Sequence, residues 1–274
     1  MKSYTVEEQA VCYIARSFKP HDDFAVTATS NCGLVALALA KELYAPRLSL
    51  LHPAKMRFAL GRDVRFPTSS GSLPEECIET LLNMEDIFSL VVRGKYLIIM
   101  QPVQVDQYGY MNLSLVGNMH NPSLVFVGSR NVPTNTVNSP RTLYFVPRHL
   151  KRIFVEKVDF KSGVGHGKER KEGIVKWGAP IEIISNLCVV DFEEETGRAR
   201  LKSIHTGITL GQVKENTGFE LIIPESISET GAPTDEELHI LRNIIDPVGV
   251  RRLDFARGEE YEQVLAEIMS GGKH

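Results

Sequence analysis

Between Phe24 and Leu51 the chain writes a strand, a polar turn, a helix of small residues and a second strand, and few folds accept that order. Phe24–Ala28 reads as a strand. Thr29-Ser30-Asn31-Cys32-Gly33 turns the chain into an alanine- and leucine-rich helix over residues 34–43, which Pro46 closes, and residues 48–51 form a second apolar run. Two strands joined through a helix lie side by side in parallel with a right-handed crossover. The run Leu124-Val125-Phe126-Val127 has no polar alternation, the pattern of a strand buried on both faces. It empties into Gly128-Ser129-Arg130-Asn131, and in open α/β sheets ligands bind just past the carboxyl ends of strands. This loop is therefore a candidate active site, with Gly128 permitting close backbone approach.

The rest of the chain repeats the theme. Thr5 and Glu8 make a capping-box pair, and Val6, Ala10, Val11, Ile14 and Phe18 share one helical face. A helix is expected over 75–84. Strands are expected at Tyr96–Met100 and over 113–116, 143–146, 153–155, 181–184 and 187–192, with 201–204 pairing back after a turn at 193–198. Thr234 and Glu237 open a last amphipathic helix through Ile245, and the tail Gly271–His274 is expected to fray. No repeat or linker divides the chain. One domain over residues 1–274 is expected: an α/β fold with an open, mostly parallel sheet flanked by helices.

Composition removes whole classes of function. With 274 residues, 43% hydrophobic and a net charge of −3, the chain lacks the electrostatic footprint of a nucleic-acid or membrane-surface binder. Basic runs at 148–152 and 168–171 are interrupted or followed by acids and read as solvated surface. Cys12, Cys32, Cys77 and Cys188 stand alone, as reduced buried thiols of a cytoplasmic protein would. Residues 1–5 lead into a helical pattern without a signal-peptide core, and the apolar run 34–40 is too short to span a bilayer.

Standard catalytic signatures are missing: no G-x-S-x-G, P-loop, H-E-x-x-H or helix-opening G-x-G-x-x-G. The histidines are scattered, so no metal site is expected. Gly163-Val164-Gly165-His166-Gly167 reads as a mobile loop, and Gln104 to Asn112 as a hairpin-like connection turning at Asp106 and Gly109. Ser30 and Asn31, between strand and helix, could hold an anion or carbonyl oxygen, or simply cap the helix.

Five stretches in fixed order resemble the β subunit of family I CoA-transferases, in particular the glutaconate branch. They are Ala40-Lys41-Glu42-Leu43-Tyr44-Ala45-Pro46, Gln104-Val105-Asp106-Gln107-Tyr108-Gly109, Leu150-Lys151-Arg152-Ile153-Phe154-Val155-Glu156-Lys157-Val158-Asp159, Glu215-Asn216-Thr217-Gly218-Phe219 and Ile245-Asp246-Pro247. The resemblance implies a fold of the CoA-transferase type and a homologous α subunit, often in an α2β2 assembly. It also implies an acyl-CoA as substrate at the subunit interface, with no further cofactor.

Two departures redirect the chemistry. Transferases of this branch carry a nucleophilic glutamate just after the second strand, and that position falls at about Pro53, within Leu51-His52-Pro53-Ala54-Lys55. His52 and Lys55 are the groups left there for acid–base or electrostatic work. The loop Gly128-Ser129-Arg130-Asn131, with Asn135-Thr136-Val137-Asn138 after it, looks like the β subunit of steroid-ring-opening CoA hydrolases. In that subgroup the acid–base glutamate comes from the α subunit. The resemblance thus implies Arg130 and Asn131 as catalytic, and Ser30, Asn31, His52, Gly128, Ser129 and Asn135 as substrate-binding. The expected reaction is hydrolytic C–C cleavage of a cyclic β-keto acyl-CoA. Alternatives are transfer of CoA between carboxylic acids, or a binding subunit that has lost its chemistry.

Overall fold

The computed structural model describes residues 4–28, 30–54, 57–61, 78–175 and 177–271. They pack as two compact units, one joining Met1–Leu90 to Gly231–His274 and the other Val91–Thr230. A unit built from both ends of a chain needs no linker, so composition offers no place to divide it.

In the first unit, α1 (Val6–Arg16) starts at the expected capping box: Thr5 Oγ1 accepts the Glu8 N–H, and the Glu8 carboxylate accepts the Thr5 N–H. Ala10, Val11, Ile14 and Ala15 on its inner face are fully buried. β1 (Phe24–Ala28), α2 (Asn31–Leu43) and β2 (Ser49–Ala54) form the strand–helix–strand unit read from the sequence, with β1 and β2 parallel and Ala25 opposite Leu50. β3 (Arg57–Gly61) and β4 (Ile78–Leu82) extend this sheet antiparallel. The helix expected over 75–84 is thus corrected: residues 78–82 are a strand, held by pairing of Leu82 with Phe58 and Thr80 with Leu60. Pairing with a neighbouring strand decides such a short apolar segment, whatever its local preference. The helix begins later, as α3 (Met84–Val92), where Asn83 and Asp86 exchange side-chain to backbone hydrogen bonds.

The second unit contains β5 (Tyr96–Met100), β6 (Gln104–Asp106), β7 (Met111–Asn112), β8 (Leu115–Asn118), β9 (Asn121–Val125), α4 (Val132–Asn138) and β10 (Thr142–Val146). These are followed by β11 (Phe154–Val155), α5 (Lys168–Lys171), β12 (Pro180–Ser185), β13 (Cys188–Phe192), β14 (Ala199–Ile204), α6 (Leu210–Asn216) and β15 (Ser228–Glu229). β5 and β10 are buried along their whole length, as continuous apolar runs in a parallel sheet should be. β5, β10 and β12 run parallel, with Ile98 opposite Thr142 and Tyr144 opposite Ile183. β13 and β14 add an antiparallel hairpin through the expected turn. Two of the stretches singled out in the sequence meet here, the Gly218 N–H donating to Phe154 O at 2.7 Å. Phe154 stacks on the buried His149 ring at 3.6 Å, and His149 Nδ1 and Nε2 each lie 2.9 Å from a hydroxyl, Ser185 and Thr217.

The chain then returns to the first unit through α7 (Asp235–Ile240), a π turn over Leu241–Ile245, a 3-10 turn over Val250–Asp254, and α8 (Glu259–Gly271). Both capping-box glutamates serve twice. Glu8 accepts from Arg242 Nε at 2.8 Å and Arg251 Nη2 at 2.9 Å, and Glu237 pairs with Arg16 and accepts the Tyr44 hydroxyl at 2.6 Å. Burial pushes the Glu8 carboxyl up, but the Arg242 hydrogen bonds, the Thr5 N–H and the Arg251 charge overcome it and hold the pKa at about 2.

Two further expectations are corrected. The run Leu124 to Val127 is not a buried strand. Among the described residues β9 pairs only with β8, Val125 opposite Leu115 and Leu124 opposite Val116, in a two-stranded ribbon. Leu124, Val125, Phe126 and Val127 are 56%, 72%, 39% and 56% exposed. Burial by another chain writes the same apolar run as burial in a core, so the pattern alone cannot separate them. The glycine cluster is packed, not loose: Gly163 bridges Met111, and the His166 N–H donates to Tyr108 O at 2.7 Å. A Cβ on Gly165 would stand 2.1 Å from Tyr108 O, so glycine here serves close approach of two backbones.

Candidate functional site

The loop after β9 is held from underneath by a chain of polar side chains that starts at the β6–β7 hairpin. Asp106 Oδ1 accepts the N–H groups of Tyr108 and Tyr110 at 3.0 and 3.2 Å, and Gly109 turns the chain at φ +72°. Burial raises the Asp106 pKa to about 6 against the pull of those N–H groups and that of Val158, and of the Lys161 charge. Gln104 Nε2 donates to Asp159 Oδ2 at 2.8 Å, which also accepts the Gly117 N–H at 3.0 Å, where β8 begins to turn. Asn112 Nδ2 donates to Gln104 Oε1 at 2.7 Å and its Oδ1 accepts the Ser114 N–H at 2.9 Å.

Ser114 is the hinge-pin of this arrangement. Its Oγ lies 2.9 Å from Ser129 Oγ and 2.8 Å from Ser162 Oγ, and its carbonyl accepts the Phe126 N–H at 2.8 Å. Three hydroxyls from three segments therefore fix the first half of the turn Gly128-Ser129-Arg130-Asn131. Ser129 O accepts the Val132 N–H at 2.9 Å, which starts α4 directly beyond the turn. Gly128 sits at φ +84° with open space where a Cβ would go.

Arg130, at φ +46°, is the one positive-φ residue other than glycine among the described residues. That conformation costs a side-chain-bearing residue roughly 1–2 kcal/mol. Strain of this kind persists where surrounding structure imposes it, and it clusters at functional sites. The Arg130 side chain is exposed and makes no hydrogen bond or ion pair with the described residues. Asn131 occupies the N-cap of α4 without a side-chain capping bond. Asn135, one turn on, is buried, and its Oδ1 accepts the Tyr96 hydroxyl at 3.3 Å. The turn thus presents an unpaired guanidinium and an unpaired amide on a rigid support, a donor pair suited to an enolate, a carboxylate or a carbonyl oxygen.

The structure brings Gly128, Ser129, Arg130, Asn131 and Asn135 together in the second unit, whereas Ser30, Asn31 and His52 belong to the first. At Ser30 and Asn31 the anion is the protein's own. Asp254 accepts from Ser30 Oγ, Asn31 Nδ2 and Cys32 N at 2.9 Å each and from Asn31 N at 3.1 Å, while Ser30 Oγ also caps α2 by accepting the Gly33 N–H at 2.8 Å. These donors are taken up by a carboxylate at least 222 residues away in sequence, and no local pattern announces it. His52 and Pro53 lie on β2 opposite Ala59 and Phe58; their side chains, with Lys55 and Cys77, fall outside the described residues. Ser114 and Ser162 are equally invisible in the sequence, since their role depends on three segments converging. Among the described residues no three His, Cys, Asp or Glu side chains gather as metal ligands, and no helix is long and apolar enough to cross a membrane.

No family model matches the chain. Individual proteins do. The cholesterol ring-cleaving hydrolase IpdB subunit of Mycobacterium tuberculosis is 31% identical over 244 residues, covering 88% of this chain and 95% of its own. The β subunit of glutaconate CoA-transferase from Acidaminococcus fermentans is 25% identical over 258 residues, 89% of this chain and 94% of its own. The crystal structure of Rhodococcus jostii IpdAB superposes with a TM-score of 0.82 at 28% identity, over 93% of this chain and all of the matching one (100%).

Proposed function

The chain belongs to the CoA-transferase family as a β subunit, and from that premise we propose that it works in a two-subunit acyl-CoA hydrolase that opens a ring by cleaving a carbon–carbon bond. The observation that carries the reading is the likeness to the IpdB subunit along nearly the whole chain. The strained, unpaired Arg130 supports it from the geometry.

The substrate is a cyclic β-keto acyl-CoA of the kind formed in steroid degradation. Water adds to the ring ketone, and a glutamate of the α subunit takes its proton. The bond between that carbon and the carbon α to the thioester then breaks. Its electron pair passes to the thioester as an enolate, the enolate carbon is protonated, and the added oxygen ends in a new carboxylate. Arg130 and Asn131 stabilise the charge that builds on the oxygen as the bond breaks; Gly128 and Ser129 shape the approach, and Asn135 fixes the helix behind them. One such preorganised donor contributes about 3 kcal/mol to the transition state, roughly a hundredfold in rate. Pro53 is consistent with this division of labour, since proline offers no carboxylate for acyl transfer. An α2β2 assembly in the reducing cytoplasm fits the three described cysteines, all buried and none in a disulfide.

A transferase that moves CoA between carboxylic acids is the second reading, favoured by the likeness to the glutaconate enzyme. Assay of the reconstituted α–β enzyme against a panel of acyl-CoAs in 18O-labelled water separates the two. Hydrolysis places one labelled oxygen in the ring-opened carboxylate, and Arg130→Ala lowers kcat about a hundredfold. Ping-pong exchange of CoA through a borohydride-sensitive thioester on a carboxylate establishes the transferase instead. Unchanged turnover in the Arg130 variant removes the loop from the chemistry.

A further inference from the structure

The three serine hydroxyls beneath the Arg130 turn are wired in one direction. A hydroxyl has one proton to donate and two lone pairs with which to accept. Ser162, at the inner end, is 1% exposed, and its Oγ accepts the Leu113 N–H at 2.9 Å. Among the described residues the one acceptor for its own proton is Ser114 Oγ, 2.8 Å away. A buried donor left unpaired is the costly arrangement, so Ser162 donates and Ser114 accepts. Ser114, half-buried, reaches Ser129 Oγ at 2.9 Å as the one remaining acceptor for its proton among the described residues. Were Ser129 to donate inward as well, Ser114 would accept twice and strand that proton between its neighbours. Ser129 Oγ therefore receives from Ser114, and its own proton has no acceptor among the described residues.

That proton lies where a ligand can use it. Ser129 is half-buried between the exposed Arg130 and Gly128, whose missing side chain leaves open space. Hydrogen bonds in a chain polarise one another, so the last hydroxyl of the relay donates more strongly than an isolated one. A guanidinium cannot accept a hydrogen bond, and this hydroxyl is obliged to donate. An oxygen held by both must offer lone pairs and carry no proton of its own: a ketone, a carboxylate or an enolate.

We infer that Ser129 is a catalytic residue, its Oγ–H donating to the substrate oxygen on which charge builds, and that Ser114 and Ser162 are positioning residues that turn this proton outward. The inference rests on the ring-opening reading above. The hydroxyl keeps its proton throughout; it supplies a hydrogen bond that strengthens as the oxygen becomes negative. Ser162 comes from the packed glycine stretch and Ser114 from the entrance to β8, so two segments distant from the turn set the polarity of its donor.

The test uses the reconstituted α–β enzyme and its ring-opening assay. Ser129→Ala should lower kcat about thirtyfold with KM within about threefold, the size of a hydrogen bond to a charged oxygen. Ser129→Thr, which restores the hydroxyl, should recover most of that loss. Ser162→Ala releases the Ser114 proton from its fixed direction and should lower kcat about fivefold. In the Ser129→Ala background it should add nothing, because both changes act through one proton. Ser114→Ala, at a half-buried position, breaks the relay in the middle and gives the same comparison where the Ser162 variant does not fold. A purely structural role predicts losses that multiply in the double variant. Neutron diffraction of the deuterium-exchanged complex reads the order directly: the deuteron on Ser162 should face Ser114, and that on Ser114 should face Ser129. Deuterons in the reverse order, unchanged kcat in Ser129→Ala, or losses that multiply overturn the inference and leave ring opening intact. A wild-type enzyme that opens no ring in any acyl-CoA of the panel overturns both.

Discussion

Removing the Asp254 carboxylate should cost the first unit about 3 kcal/mol, and a little under half of that loss should be recoverable with formate. Asp254 is 6% exposed and accepts four hydrogen bonds at the start of α2. In Asp254→Ala the two part-buried Asn31 donors can turn to water, but the buried Ser30 hydroxyl and Cys32 N–H cannot. A buried donor left without its acceptor costs about 1–3 kcal/mol. Loss of a negative charge at a helix N-terminus adds about 0.5–1 kcal/mol. The sum corresponds to a fall in Tm of roughly 6–12 °C for a protein of this size. Formate has the size of the group deleted and meets the same four donors. At ten times its Kd it should restore about 1.4 kcal/mol by mass action. Scanning calorimetry of wild type and variant, with sodium formate against sodium chloride at equal ionic strength, measures both. A variant within 1 kcal/mol of wild type, or one that formate and chloride affect equally, refutes the assignment of those donors to Asp254.

Acid stability and the packed glycine give two more tests. Burial, with a smaller electrostatic contribution from the neighbouring His205 ring, pushes the His149 pKa down from 6.5 to about 3. The unfolded chain therefore takes up that proton first as pH falls, so the contribution is intact above about pH 6.5 and is lost progressively toward pH 3, reaching about 2 kcal/mol at pH 5. Denaturant titrations should show His149→Gln less stable at pH 8 but flatter by that amount between pH 8 and 5; an equal slope rejects it. Gly165→Ala forces a methyl into Tyr108 O and Gly109 C and should destabilise by about 3 kcal/mol. Gly211→Ala, in α6 with nothing nearer than 3.7 Å, should instead gain about 0.5–1 kcal/mol, and a similar cost at both sites in urea melts would dismiss the close-approach reading.

The sequence alone determined what depends on neighbours a few residues apart. The capping boxes at Thr5–Glu8 and Thr234–Glu237, the βαβ unit from Phe24 to β2, and the wholly buried β5 and β10 all follow from spacing and short-range hydrogen bonding. The order of five short motifs identified the family, because a family keeps its wording where backbones meet, as Phe154 and Gly218 do. It also marked Arg130, the residue on which the proposed chemistry turns.

Tertiary structure decided whatever depends on which distant groups meet. Burial within a chain and burial between chains are written with the same residues, so Leu124 to Val127 read as core and proved to be surface. A glycine needed for close packing is indistinguishable in sequence from one needed for freedom, so the Gly163–Gly167 cluster read as mobile. The donors of Ser30 and Asn31 looked available until folding brought Asp254 to them. The opposite holds for Arg130: folding brought it no partner among the described residues, and fixed it through Ser114 and Ser129 in a conformation that its own side chain disfavours. Hydrogen-bond supply is local and can be read from a sequence; demand is set by whatever the fold carries alongside, and only three dimensions settle it.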